Sequence, residues 1–263
     1  AETQAERDDH DHSVGLRTGQ PDPLGRPPGE PLCPGRFPNA ALTQIQRDVG
    51  TLAWTAQYQG RPTAAGGSMI QRAWLQIVDT DPGPVSGSIR YWDLAATESG
   101  SGPASAGVLM YRHAQGWHIR DVQHGWWSPA HRNEALRRTA ETDGPGVRVY
   151  VEQEPGSAGV AVADDLTAIL QGFRVTHDRP TGDKLTRLQP FAAACEARQI
   201  TLSRGLWNNA YIDELTAIPN GPRMDQADAS SGAFTALRGA GPLADVLIAR
   251  APDPLEAMDS EPY

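Results

Sequence analysis

The sequence predicts an α/β fold with a mixed central sheet flanked by helices, and three observations predict it. Between residues 88 and 125 three strand-like runs follow one another closely, as in an antiparallel meander. From residue 128 onward helical and strand-like runs alternate, the pattern of strands laid parallel through helical crossovers. Two of the strands carry carboxylates near their ends, at Asp93 and Glu152, although acids are depleted in sheets and costly to bury unpaired.

In chain order, residues 1–36 are acidic and rich in Pro and Gly and read as an extended or disordered segment. Asn39 to Val49 carries Leu42, Ile45 and Val49 at helical spacing, with Gly50 placed as a C-cap. Trp54, Tyr58 and Trp74 read as anchors, and Asp79 to Gly87 is a Pro/Gly linker that marks a domain boundary. The strand runs are 88–95, 106–113 and 116–125, the last two joined by the turn Ala114-Gln115. A helix follows over 128–142, with Ser128 as N-cap and Pro129 in the first position. The remainder reads as strand 147–152, helix 157–171, strand 173–176, helix 183–198, strand 200–202, helix 208–218 and helix 225–237. Residues 240–263 form an acidic tail.

This order is that of the ribonuclease H-like fold. A right-handed crossover through the helix at 128–142 lays strand 147–152 parallel to strand 88–95, so their carboxyl ends coincide. Open α/β sheets place their sites at such ends. Alternation puts Arg148, Tyr150 and Glu152 on one face of their strand and Val147, Val149 and Val151 on the other.

Composition bounds the function. The chain of 263 residues has a net charge of −9, which argues on its face against a nucleic-acid partner. However, residues 1–12 carry five acids against Arg7, and 251–263 carry four acids and no base, so nearly all of the excess lies at the ends. Cys33 and Cys195 make neither a disulfide framework nor a metal spacing. No apolar run spans a bilayer and no secretory signal is visible, so no membrane partner and a cytosolic placement are expected. A start at Ala1 without Met leads to the expectation of a piece of a longer polypeptide.

Carboxylates brought together from separate elements repel one another until divalent cations fill the space between them. Asp93, Glu152 and Asp225 are the expected catalytic acids, and the same three with Asp228 the expected metal ligands. Asp225 and Asp228 share a helix face and also suit an N-cap and a first-turn acid. Glu154, just beyond the strand, is the competitor of Glu152 and ranks below it because Glu152 ends the strand. All-oxygen ligands imply two divalent cations, Mg²⁺ or Mn²⁺, rather than zinc. Lys184 is the one lysine among 23 basic residues, and a compact ammonium differs from a guanidinium fork. It is expected, with Arg187 one turn on, to meet DNA phosphate at the site edge.

Tyr91-Trp92-Asp93-Leu94-Ala95, Val149 to Gly159, Gly182-Asp183-Lys184 and Asp225-Gln226-Ala227-Asp228-Ala229 resemble, in that order, the nuclease domain of the large terminase subunit of tailed bacteriophages. Upstream, Pro31 to Phe37 and Trp54 to Pro62 look like the end of that family's packaging ATPase domain. The resemblance implies a nuclease domain over 85–239 and the end of an ATPase-like region with its linker over 37–84. It implies an endonuclease that cuts concatemeric viral double-stranded DNA during genome packaging. It further implies the portal protein, the small terminase subunit and an ATPase domain of the same polypeptide as partners, in the cytoplasm of a bacterial host. Many relatives have two adjacent Asp where this chain has Met224-Asp225. No Gly-x-x-x-x-Gly-Lys-Ser/Thr loop occurs, so these residues do not supply ATP hydrolysis. Two other readings compete: a catalytically silent module docking DNA or portal, and a cellular junction-resolving nuclease of the same fold.

Overall fold

The computed structural model describes residues 25–26, 30–58, 68–95, 102–153 and 156–239. Most of the expected acidic segment 1–36, the tail 240–263, Arg61-Pro62 and Glu154 lie outside the described residues. The elements are α1 (Asn39–Ala53), β1 (Gln76–Val78), β2 (Val85–Asp93), β3 (Ser105–His113) and β4 (Gly116–Gly125). After the meander come α2 (Pro129–Asp143), β5 (Arg148–Glu152), α3 (Ser157–Ile169), β6 (Val175–Asp178) and α4 (Lys184–Glu196). The chain continues through β7 (Ile200–Ser203), α5 (Asn208–Ala217) and α6 (Asp225–Gly239).

The seven strands form one mixed sheet in the order β1-β7-β4-β3-β2-β5-β6. The meander β2-β3-β4 is antiparallel, and β5 and β7 join its two edges in parallel. The expected pairing of the two acid-bearing strands is present, with Ile89 to Trp92 opposite Arg148 to Val151. This is the mixed α/β sheet of the ribonuclease H-like fold, with helices on both faces.

Strand alternation divides the core. Ile89, Tyr91, Ala106, Val108 and Met110 pack with Leu188 and Phe191 of α4, Tyr211 and Leu215 of α5, and Phe234 and Leu237 of α6. Trp92, Val149 and Val151 pack instead with Leu136 and Ala140 of α2, with Leu166 of α3 and with its C-cap Leu170. Gly107 makes room for Trp92, since a Cβ there would lie 2.5 Å from the indole ring. On that second face Arg90, 1% exposed, donates to both oxygens of Asp143 at 2.7 and 2.8 Å, and its Nη2 lies 2.9 Å from Asp121 Oδ2.

The structure departs most from the sequence reading in four places. α1 does not end at Gly50 but kinks there (φ 77°) and runs on to Ala53. Its far end is held by α4: Glu196 accepts from the Thr51 amide and hydroxyl at 3.0 and 2.6 Å. β1, which no local pattern announced, exists through non-local pairing of Gln76 to Val78 with Thr201 to Ser203. β2 begins at Val85, within the expected linker, and stops at Asp93 rather than Ala95. The strand expected at 173–176 is 175–178, because the Phe173 amide is taken by Leu170 O at the close of the preceding helix. That two-residue shift puts Asp178 at a strand end beside Glu152.

Candidate metal centre

The carboxyl ends of β2 and β5 bring Asp93 and Glu152 to one edge of the sheet, and α6 crosses above them. Tyr91 and Asp93 point to the same face, roughly 7 Å apart along the strand. Gly232 and Asp228 lie one helical turn apart, roughly 6 Å along α6. The two spacings match, so seating Gly232 on Tyr91 carries Asp228 to Asp93. The seat is close: a Cβ on Gly232 would lie 2.2 Å from the Tyr91 ring. One carboxylate oxygen from each of Asp93, Glu152 and Asp228 lies within 4.8 Å of the others.

Asp225, expected as the third acid, lies outside this group. Its Oδ2 accepts from the Ala104 amide at 3.0 Å and ties the entry of β3 to the start of α6. Nor does its side chain cap the helix. Glu214 of α5 does so, accepting from the Gln226 and Ala227 amides at 2.6 and 3.2 Å. With a partner helix filling the cap, both expected aspartates are released from it.

Lys184 and Arg187 reach the same cluster from α4. Asp183 is the N-cap, accepting from the Thr186 amide at 2.9 Å, and fixes Lys184 as the first helical residue. Lys184 Nζ lies 2.5 Å from Asp228 Oδ2 and 3.6 Å from Asp93 Oδ2. Arg187 Nη2 donates to both Asp228 oxygens at 2.9 and 3.2 Å, and its Nη1 lies 3.8 Å from Glu152 Oε1. Two polar atoms here are buried with no hydrogen-bond partner among the described residues, Glu152 Oε2 and Arg187 Nε.

Electrostatics reports the crowding. Burial, reinforced by Glu152, Asp228 and Asp225 and opposed by Lys184, pushes the Asp93 carboxyl up to about 7. Glu152 is raised by burial and by Asp228, against Arg187 and Lys184. Burial works against the Lys184 ammonium, but Asp93, Asp228 and Glu152 outweigh it and hold its pKa above the ordinary range.

Two members of this neighbourhood went unnoticed in the sequence. Asp178 accepts from the Tyr91 hydroxyl at 2.7 Å and adds to the repulsion that raises Glu152. Tyr91 is itself raised, first by burial and then by this bond. An acid closing a strand was the available signal for Asp178, and the displaced reading of β6 hid it.

A family model described as the terminase RNaseH-like domain matches residues 90–237, more than half of the chain. The chain belongs to this terminase family. The match begins in β2 and ends in α6, so it contains every member of the carboxylate cluster. No curated protein matches the chain. Among solved structures it is similar to the large terminase of a thermophilic bacteriophage bound to ADP, with 14% identity and a TM-score of 0.57. The match covers 76% of this chain and 52% of that one, so the terminase chain spans about half the length of that relative. The same phage protein bound to ATP-γ-S gives 14% identity, a TM-score of 0.54, and coverage of 74% and 51%. The terminase nuclease domain of human cytomegalovirus, soaked with Mn and bound to an inhibitor, gives 12% identity, a TM-score of 0.49, and coverage of 68% and 97%. At these identities the likeness is one of fold. No helix among the described residues is long and apolar enough to cross a membrane.

Proposed function

We propose that this terminase domain is a divalent-metal-dependent endonuclease that hydrolyses phosphodiester bonds of concatemeric viral double-stranded DNA during genome packaging. The observation that carries the reading is the convergence of Asp93, Glu152 and Asp228 on one point at the sheet edge. Residues separated by more than half the chain meet there at an electrostatic cost that nothing in the fold requires. Their oxygens are hard donors with no Cys or His among them, which suits Mg²⁺ or Mn²⁺. Glu152 Oε2, buried and without a partner among the described residues, fits an oxygen reserved for a ligand.

In this reading Asp93, Glu152 and Asp228 would together hold the divalent cations. Of the two aspartates expected as ligands, Asp228 takes that role and Asp225 positions the start of β3. When bound, the ions supply a hydroxide nucleophile and stabilise the attacking and leaving oxygens. Arg187 fixes the orientation of Asp228, and the half-exposed Lys184 stands where a DNA phosphate would approach. The wider partners on this reading are the portal protein, the small terminase subunit and an ATPase domain of the same polypeptide, in the bacterial host cytoplasm.

The test is plasmid cleavage in Mg²⁺ and in Mn²⁺. Cleavage by the wild-type chain is expected, with loss in Asp93→Ala and Asp228→Ala and retention in Asp225→Asn. An inert wild-type chain, or an Asp93→Ala variant that cuts as well, would overturn the proposal. One observation favours a silent docking module instead: Lys184 and Arg187 already pair with the acids. Calorimetry with Mn²⁺ separates the two, since a docking module shows no saturable binding that depends on Asp93.

A further inference from the structure

We propose that Lys184 is a resident counter-cation of the metal centre, one that vacates its carboxylates when a divalent ion enters and then becomes available to a DNA phosphate. The inference rests on the metal-centre reading above and adds the order of events within it.

The geometry distinguishes the two cations. Lys184 Nζ bridges Asp228 Oδ2 at 2.5 Å and Asp93 Oδ2 at 3.6 Å, so it stands between two of the three proposed ligands. An ammonium standing between Asp228 Oδ2 and Asp93 Oδ2 occupies the space that an ion shared by those oxygens would take, and its positive charge repels that ion. Arg187 grips both oxygens of Asp228, and its side chain is only 18% exposed. Lys184 holds one oxygen closely and another loosely, from the first residue of α4, with its side chain 50% exposed. A four-carbon stem ending in a point charge swings out without disturbing its helix, whereas the largely buried Arg187 guanidinium is held by Nη2 at both oxygens of Asp228 with Nη1 beside Glu152. The composition agrees, since 23 basic residues include a single lysine and it occupies this position.

An ammonium lodged among carboxylates offsets their repulsion while metal is absent and competes with metal for the same oxygens. DNA removes the competitor by offering it a phosphate. Metal and DNA therefore strengthen each other's binding reciprocally, through one side chain with two alternative partners.

The single lysine also makes the test clean. Chain labelled with ¹⁵N at lysine Nζ gives one side-chain ammonium resonance, which is followed while Mg²⁺ alone is added, with calorimetry run in parallel. The expected result is hydrogen exchange of the ammonium accelerating to that of free lysine, at the midpoint of the calorimetric isotherm. Lys184→Met is expected to bind Mg²⁺ severalfold more tightly than wild type and to lose the gain in Mg²⁺ affinity that a short DNA duplex gives the wild-type chain. If Mg²⁺ binds while the ammonium keeps its slow exchange and Lys184→Met binds no more tightly, the displacement is wrong and the metal centre stands. If neither chain binds Mg²⁺ or Mn²⁺, the metal centre fails and this inference with it.

Discussion

Strand β2 carries a charged cluster on each of its faces, and the two are built on opposite plans. On one face Arg90 is buried among the oxygens of Asp121 and Asp143 and also donates to the Gly107 carbonyl at 3.0 Å. The cation is innermost and its guanidinium is ringed by acceptors. On the other face an acid, Asp228, is innermost, with Asp93, Glu152 and Arg187 about equally buried around it, Lys184 half exposed at the rim, and Glu152 Oε2 without a partner among the described residues. A closed cluster with a buried cation holds a fold together, whereas an acid-rich cluster with a spare oxygen and a half-exposed cation leaves room for a ligand. The contrast separates a structural charge network from a functional one without reference to any relative.

Breaking the closed cluster should have the largest effect. Arg90→Met leaves two acids facing one another at the edge of an apolar layer and is expected to cost about 3–5 kcal/mol in urea denaturation. Breaking the open cluster should do the reverse. Asp93→Asn is expected to leave metal-free stability unchanged or raise it by about 1 kcal/mol, because a costly buried carboxylate is gone. The same variant should lose the stabilisation that Mg²⁺ confers on wild type, about 2.7 kcal/mol at a hundredfold excess over its Kd. Equal destabilisation by both variants would erase the distinction between the clusters.

The fit that brings the open cluster together can be tested through its seat. Gly232→Ala drives a methyl into the Tyr91 ring and is expected to cost about 1–3 kcal/mol. Because Asp228 lies one turn away on the same helix face, this variant should also weaken metal binding in calorimetry. Gly107→Ala offers the control, since it crowds Trp92 on the opposite face and should cost stability while leaving metal affinity intact.

The smallest effect is the dependence on pH. Asp93 is held up at about 7 against an ordinary 3.8, so between those values the folded chain keeps a proton that the unfolded chain releases. Its stabilising contribution is complete below about 4 and is lost as pH rises through about 7. Glu152, also raised, acts in the same direction. The Tm of the metal-free chain should therefore fall between about pH 4 and 7, and saturating Mg²⁺ should flatten or reverse that fall. A metal-free Tm that rises over the same interval would show the acids to be unstrained.

Much of this was legible in the sequence because its signals were local. An acid closing an apolar strand marked Asp93 and Glu152, and the alternation of β5 marked which residues faced the core. Ser128 caps α2 as read, accepting from the His131 amide at 3.3 Å. What was not legible depended on distant partners. Which of Asp225 and Asp228 joins the cluster turns on the Ala104 amide, which engages Asp225, and on the seat of Gly232 on Tyr91. The length of α1 turned on Glu196, and the existence of β1 on pairing with β7. Asp178 was missed for a smaller reason, a strand boundary misplaced by two residues.

The most direct measurement is anomalous scattering from a crystal of the chain soaked in Mn²⁺. A peak is expected at coordination distance, about 2.1 Å, from oxygens of Asp93, Glu152 and Asp228, with Asp225 still bonded to the Ala104 amide and Lys184 Nζ withdrawn. No peak between those three carboxylates, at a Mn²⁺ concentration that supports cleavage, would contradict the proposed metal centre.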